Sequence, residues 1–497
     1  RVSVMTELVE RLRRIATQQP NALALQDPYR QLTWRQMINE VDRLTELLLP
    51  YAQNVVALYA DNSVDWACID LACYEAGVIS LPIPAFFSAE QQHHAISESG
   101  ALALIESKGT TLFQSLKLFD QLHLSLTDNL ILFPLVKKGH SQIPEKTQKI
   151  TFTSGSTGQP KGVCLSTDNQ LAVADAIIQR TELQAIKHLC VLPLTTLLEN
   201  LAGIYAPLLS RGSVTLLPAA ELGFNGGRGF DVQQFLQTLS KQQPESVVLL
   251  PELLLTLVSA AETGWPVPGS LKFIAVGGSR VSADLLRKAD DLGLPVYEGY
   301  GLSECSSVVS LNSPKQRQIG SVGQTLDHVK VSIESGEIIV RGNCFLGYIN
   351  HPDSWYPEQI ATGDLGFIDE NRYLHINGRR KNLLISSFGR NINPEWVESE
   401  LLANPILAYC TVIGDAKSHC SVLVQPRFDN ITDAMIDQWI TLVNKRLPDY
   451  AQLADWQRFE WPLSVENGTL TANGRPVRQQ ILESYHHQIN ALYKEQA

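Results

Sequence analysis

Thr151-Phe152-Thr153-Ser154-Gly155-Ser156-Thr157-Gly158-Gln159-Pro160-Lys161-Gly162 is the stretch on which the reading of this 497-residue chain turns. It follows a strand-like Lys149-Ile150 and gathers hydroxyls, glycines and one lysine into a single loop. Glycines let a backbone turn its N–H groups towards an anion. The Ser and Thr hydroxyls add donors and Lys161 adds positive charge, a composition suited to the β- and γ-phosphates of a nucleotide. The loop is not a Walker A motif, which requires Lys-Ser or Lys-Thr directly after its last glycine. Here Pro160 precedes Lys161 and Gly162 follows it. The competing reading is a flexible Ser/Gly surface loop.

Outward from this loop, apolar strands alternate with helical text. Val55–Tyr59, Val78–Ile83 and Ala101–Ile105 read as buried strands, with a helix over Asp65–Gly77. Downstream, Leu189–Leu192, Ser213–Leu217, Ser246–Leu250 and Phe273–Val276 repeat the signal. That rhythm predicts an α/β fold, with parallel-rich sheets covered by helices. From Gly320 to Ile376 the strands shorten and are broken by Gly, Asn and Asp, the texture of a small antiparallel β subdomain. The basic run Arg379-Arg380-Lys381 marks a predicted boundary between a large domain, 1–380, and a small α+β domain, 381–497.

Further motifs follow in order. Val276-Gly277-Gly278-Ser279 has glycines that let a ligand lie against backbone. Tyr297-Glu298-Gly299-Tyr300-Gly301-Leu302-Ser303-Glu304 reads alone as a strand-end turn. Thr362-Gly363-Asp364 reads equally as a β-turn or as an aspartate that accepts two ribose hydroxyls. Gly378-Arg379-Arg380-Lys381 continues to Gly389-Arg390-Asn391-Ile392-Asn393-Pro394-Glu395 and alone would be a solvated basic turn. In this order the motifs resemble those of the acyl-adenylate-forming (AMP-binding) superfamily, above all its acyl-CoA synthetases, over nearly the whole chain.

The resemblance implies an AMP-forming acid–thiol ligase. Such an enzyme uses ATP and Mg²⁺ to activate a carboxylic acid as acyl-AMP, then forms a thioester with coenzyme A. It implies that Thr153, Ser154, Gly155, Ser156, Thr157, Gly158 and Lys161 cradle the phosphates. Gly277, Gly278, Ser279, Glu298, Gly299, Tyr300 and Gly301 then line the adenine and acyl sites, with Tyr300 near adenine. Ser303 contacts the α-phosphate and Glu304 binds Mg²⁺, a hard cation that takes oxygen ligands. Asp364 takes the ribose and Arg379 the ribose or phosphate. Lys381 occupies a hinge on which a mobile C-terminal domain rotates, and the segment around Gly389 lines the pantetheine channel.

Two positions depart from the pattern. The family's C-terminal lysine falls at Arg475 within Asn473-Gly474-Arg475-Pro476, where a planar fork replaces a compact ammonium. Lys161, Ser303, Glu304 and Arg475 form the expected catalytic set, with a surface arginine as the competing reading of the last. In Leu192-Pro193-Leu194-Thr195-Thr196, two threonines stand where relatives carry an aromatic-His gate. Glu199-Asn200 reads as pocket-facing or as loop polarity, and the adjacent pairs His93-His94 and His486-His487 as diverging surface rings.

No aspartate lies between Leu192 and Ala206 to hold an amino acid's ammonium, and Gly323–Thr362 is compact. By the resemblance, the first argues against an amino-acid adenylation domain, and the second, lacking the insertion of fatty acyl-AMP ligases, favours CoA over a carrier-protein phosphopantetheine as acceptor. Apolar text at Leu197-Leu198 and Leu249–Leu255 suits a fatty or other apolar acid. The alternatives are an acyl-AMP ligase loading an acyl or peptidyl carrier protein, and an adenylate-binding protein without turnover.

Composition excludes other classes. The net charge of -11 opposes nucleic-acid binding. No apolar run is long enough for a transmembrane segment. The N-terminal text lacks a signal-peptide pattern, with Met5 a candidate start, and Thr6–Ile15 reads as an amphipathic helix. Eight cysteines without C-x-x-C spacing predict buried, reduced thiols in a cytoplasmic protein. Gly223–Gly229 matches no nucleotide fingerprint and is expected to be a mobile surface loop.

Overall fold

The computed structural model describes residues 7–110, 112–115, 123–136, 141–153, 160–225, 229–387, 390–472 and 474–493. Two large sheets form the N-terminal domain. In the first, nine strands run in the order 324–325, 307–311, 296–302, 273–276, 246–249, 187–190, 213–216, 23–26, 31–33. Its central neighbours, from Val296 across to Leu25, pair in parallel. The second has eight strands, with 161–165, 149–153, 79–82, 55–59 and 103–107 at its centre.

Two helices lie between the sheets. Val64–Ala76 is buried at every position, so it shows no polar stripe, as expected of a helix covered on both sides. Thr167–Thr181 begins at a capping box in which Ser166 Oγ accepts from the Asn169 N–H and Asn169 Oδ1 from the Ser166 N–H, both at 3.0 Å. One core joins these helices to both sheets through residues such as Val56, Leu58, Trp66, Val173 and Val214. A second core lies on the other face of the nine-stranded sheet, under the helices Val232–Gln242, Pro251–Glu262 and Ala283–Asp291.

The predicted small β subdomain is a four-stranded antiparallel sheet of 329–334, 337–342, 359–368 and 374–379. A smaller C-terminal domain follows, built on the sheet 407–413, 420–426, 453–458. Helices Pro394–Leu401 and Asp433–Asn444 pack on one face of it and Arg478–Ser484 and His486–Ala491 on the other, each with its own core. Among the described residues, no helix is long and apolar enough to cross a membrane.

Several local expectations need correction. Thr151–Gly162 is not one loop: Thr151–Thr153 closes the strand Lys149–Thr153, and Lys161 opens its antiparallel partner Lys161–Leu165. Thr153 lies opposite Lys161, because buried Ile150, Phe152 and Val163 extend the hairpin further than loop composition suggested. His486 and His487 do not diverge, since their ring centroids are 3.9 Å apart. His94 is half-buried, edge-on to Phe152. Of the Gly223–Gly229 segment, 226–228 lies outside the described residues.

Candidate active site

The parallel strands of the nine-stranded sheet present their carboxyl ends to the C-terminal domain, the place where open α/β sheets bind ligands. A cavity of about 1540 Å³ opens there. It is lined by Thr153, Lys161, Gly277, Gly278, Ser279, Glu298, Gly299, Tyr300, Gly301, Ser303, Glu304, Asp364, Arg379, Lys381 and Arg475. Ser154, Gly155, Ser156, Thr157 and Gly158, and with them Gly389, lie outside the described residues. Every described position expected in the site therefore meets the others on one surface, although they come from both domains.

The β subdomain supplies Asp364. Asp364 and Arg379 are cross-strand partners, and Arg379 Nε lies 3.0 Å from Asp364 Oδ1. Tyr300 donates its hydroxyl to Asp364 Oδ2 at 2.6 Å. Burial pushes the Asp364 carboxyl above the usual carboxylate range, with Arg379 and the Tyr300 hydrogen bond opposing the rise. Burial, and after it the same contact with Asp364, raises the Tyr300 phenol, which therefore stays a donor. Glu298, on the same strand as Tyr300, is buried, and burial pushes it up to about 8, against the opposing pull of Arg280.

Glu304 sits in a turn after that strand, and its Oε1 accepts the Tyr348 hydroxyl at 2.7 Å. Lys161 Nζ stands 5.4 Å from the centre of the same Tyr348 ring. The lysine and the carboxylate are thus held on two sides of one aromatic residue. Among the described residues Glu304 Oε2 has no hydrogen-bond partner. Glu304 lines the cavity together with hydroxyl-bearing Thr153 and Ser303, a set of oxygen donors of the kind that suits a hard divalent cation. Cys305, next to Glu304, is buried and its thiol is raised, which keeps it un-ionised. All eight cysteines are buried, and burial pushes Cys164 up to about 12 and Cys420 to about 11.

Arg475 reaches in from the C-terminal domain. A methyl group built on Gly278 would lie 3.1 Å from Arg475 Nη2, so the guanidinium rests against the Gly277-Gly278 turn. Water in the cavity reaches this side chain, but protein surrounds it on most sides. That burial lowers its pKa, Arg379 lowers it further, and Glu252 opposes the drop. Arg475 is exposed, and its solvent-facing side lines the cavity rather than the outer surface of the domain alone. Two further links tie the domains: Ser282 Oγ donates to Glu400 Oε2 at 3.1 Å, and Arg446 pairs with Asp284.

The cavity continues as an apolar chamber along one face of the sheet. Val248, Phe273 and Ala275 form its sheet wall, and Ile177, Ala202 and Ala206 face them from the helices. Thr195, Thr196, Leu197 and Leu198 also line it. Glu199 and Asn200 do not. Glu199 is fully buried, with Oε1 2.9 Å from His188 Nε2 and Oε2 accepting from the Leu192 N–H at 2.9 Å. Asn200 joins a buried network in which Lys149 Nζ lies 2.9 Å from Asp70 Oδ1 and 3.0 Å from the Tyr205 hydroxyl. Sequence reasoning missed this network and His188. The only signal was a lysine and a histidine in otherwise apolar strands, where an unpaired charge is costly.

The family described as AMP-binding enzyme matches residues 12–349, and the AMP-binding enzyme C-terminal domain matches 381–497. A 2-succinylbenzoate–CoA ligase of Enterococcus faecalis is 27% identical over 456 residues, covering 86% of this chain and 88% of that protein. The long-chain-fatty-acid–CoA ligase FadD15 of Mycobacterium bovis is 26% identical, covering 74% of this chain and 72% of that protein. In fold the chain is similar to the anthranilate CoA ligase AuaEII, solved in complex with anthranoyl-AMP. The TM-score is 0.82 at 19% identity, covering 99% of both chains. With the two family matches together spanning most of the chain, on either side of the segment 350–380, this chain belongs to the AMP-binding enzyme family.

Proposed function

We propose that this protein is an AMP-forming acid–thiol ligase that joins an apolar carboxylic acid to coenzyme A through an acyl-AMP intermediate. The observation that carries the reading is the convergence of Lys161, Glu304, Asp364 and Arg475 on one cavity with an apolar chamber beside it.

In the first step a carboxylate oxygen attacks the α-phosphorus of ATP, forming the acyl–phosphate bond as pyrophosphate leaves. Two anions must approach, so the protein's work is alignment and charge compensation. Asp364, fixed by Tyr300 and Arg379, accepts the ribose hydroxyls. Lys161 faces the leaving phosphates, and Ser303 offers a hydroxyl to the α-phosphate. Arg475 bridges the acid's carboxylate and that phosphate. Glu304 would hold Mg²⁺, which supplies further neutralisation of phosphate charge. In the second step a thiolate sulfur attacks the acyl carbon and AMP leaves. No enzyme nucleophile is required, consistent with the raised thiol of Cys305. Lys381, at the foot of the C-terminal domain, is the proposed hinge between the two steps.

The relatives' names include aryl and fatty acids. Aryl acids are the first class to test, because 2-succinylbenzoate–CoA ligase covers more of this chain than the fatty-acid enzyme does. The decisive assay is exchange of labelled pyrophosphate into ATP over a panel of aryl, fatty and amino acids, followed by detection of the CoA thioester. Exchange with an apolar acid and a CoA product is expected. ATP binding without exchange would leave an adenylate-binding protein instead, and a product formed only with a carrier protein would replace CoA as acceptor.

A further inference from the structure

The apolar chamber ends on a row of three residues, two of them polar. His188, Ser246 and Phe273 stand side by side in register at the amino ends of three adjacent parallel strands, so their side chains point to the same face. That face is the chamber wall, and all three line the cavity. From Gly277 at the phosphate end to Phe273 the wall runs four residues, roughly 13 Å. Ala275 and Val248, paired on the same face, line the wall between them with small apolar side chains.

A chain of three hydrogen-bonding groups runs into this end of the chamber. Glu199 Oε1 lies 2.9 Å from His188 Nε2, and His188 Nδ1 lies 2.8 Å from Ser246 Oγ. Glu199 is 0% exposed, His188 2% and Ser246 4%, so the chain is sealed from bulk water. His188 Nε2, Cys190 Sγ and a Glu199 oxygen lie within 4.8 Å of one another. Each already has a hydrogen-bond partner, which favours a hydrogen-bonded chain over a metal cage. A serine hydroxyl has one donor and two acceptor sites. His188 takes one of these, and among the described residues Ser246 Oγ has no other partner. Ser246 is one of the residues that line the cavity, so this remaining capacity is available to a ligand there.

We propose that the chamber takes an apolar acid bearing a hydroxyl group at the end far from its carboxylate, and that Ser246, held by His188 and Glu199, recognises that hydroxyl. The inference rests on the ligase reading and sharpens its substrate class. If His188 is neutral, Ser246 donates to Nδ1 and can accept from the ligand. If His188 is protonated, Nδ1–H donates to Ser246, whose own proton is free for the ligand. A hydroxyl, being donor and acceptor, satisfies both arrangements, whereas a carbonyl satisfies one. A second carboxylate would be set near the buried Glu199 with no cation added.

The test uses acyl-sulfamoyl adenosines, unreactive mimics of the acyl-adenylate, as matched pairs. One pair is a phenylalkanoyl mimic with and without a para-hydroxyl. The other is a medium-chain alkanoyl mimic with and without a terminal hydroxyl. Calorimetric titration of the full chain is expected to show at least about tenfold tighter binding for the hydroxylated member of one pair, since a buried site built for a hydroxyl discriminates against its absence. In Ser246→Ala the ratio should collapse towards one, and in Ser246→Thr, which keeps the hydroxyl, it should persist. Equal affinities within both pairs for the wild-type protein overturn the inference, as does a preference that survives Ser246→Ala. Because binding is read without turnover, failure of the ligase reading shows separately, as absence of pyrophosphate exchange.

Discussion

At Asp364 one carboxylate holds two neighbours, the Tyr300 hydroxyl and the Arg379 guanidinium, and still faces the cavity. Asp364→Ala should remove the ribose acceptor and release both neighbours. A charge-assisted hydrogen bond contributes about 1.5–3 kcal/mol, so KM for ATP in the exchange assay should rise roughly ten- to a hundredfold. Glu298 offers a test of pH dependence. Its folded-state pKa is raised to about 8 from 4.5, so the folded state holds a proton that the unfolded chain has released. The contribution to stability is therefore present below pH 4.5 and is lost as pH rises towards about 8. Glu298→Gln, neutral at every pH, should flatten that decline, and melting curves of both proteins across the window will show whether it does. Parallel curves would remove Glu298 as its source.

The decisive element is the wide helical turn Asn200–Tyr205, which carries Tyr205 and follows directly on Glu199. Its i→i+5 spacing is rare and tends to mark functional positions. Here it brings Gly203 against the Glu199–His188 pair. A methyl group on Gly203 would lie 2.2 Å from Glu199 Oε1 and 2.9 Å from His188 Nε2, with no room to yield in a sealed site. Gly203→Ala should destabilise the protein by about 1–3 kcal/mol, the usual range for overpacking, read as a lowered melting temperature. The strands beneath this element were legible as sequence because each is a short, largely apolar run between turns. The turn itself was not, because its text is apolar on every side and carries no period that separates it from an ordinary helix.

On the scale of the whole molecule, the small domain brings Arg475 to the Gly277-Gly278 turn, and the proposed ligase reaction depends on that placement. Arg475→Ala should lower acid-dependent pyrophosphate exchange at least about a hundredfold, as loss of a preorganised charge at a reacting phosphate does, while ATP still binds by calorimetry. Unchanged exchange would remove Arg475 from the reaction. Ser282–Glu400 and Arg446–Asp284 hold the two domains in this arrangement. Both are polar, a common feature of interfaces between domains that move relative to each other.

The sequence alone determined the α/β architecture, the order of the motifs and the chemistry each could offer, because these depend on neighbours along the chain: strand runs, glycine turns, a hydroxyl-rich loop ending in lysine. It also determined that Arg475 is an arginine, but not whether it faces solvent or substrate. The tertiary structure places it against the Gly277-Gly278 turn, and it decided the wall of the chamber. His188, Ser246 and Phe273 are neighbours only because strands 187–190, 246–249 and 273–276 lie side by side after long helical crossovers. Glu199 completes the set only because the wide turn folds it back beneath them. Pairing across crossovers places residues together that no local pattern links, and for that reason the specificity of the site stood outside the sequence reading while its chemistry stood within it.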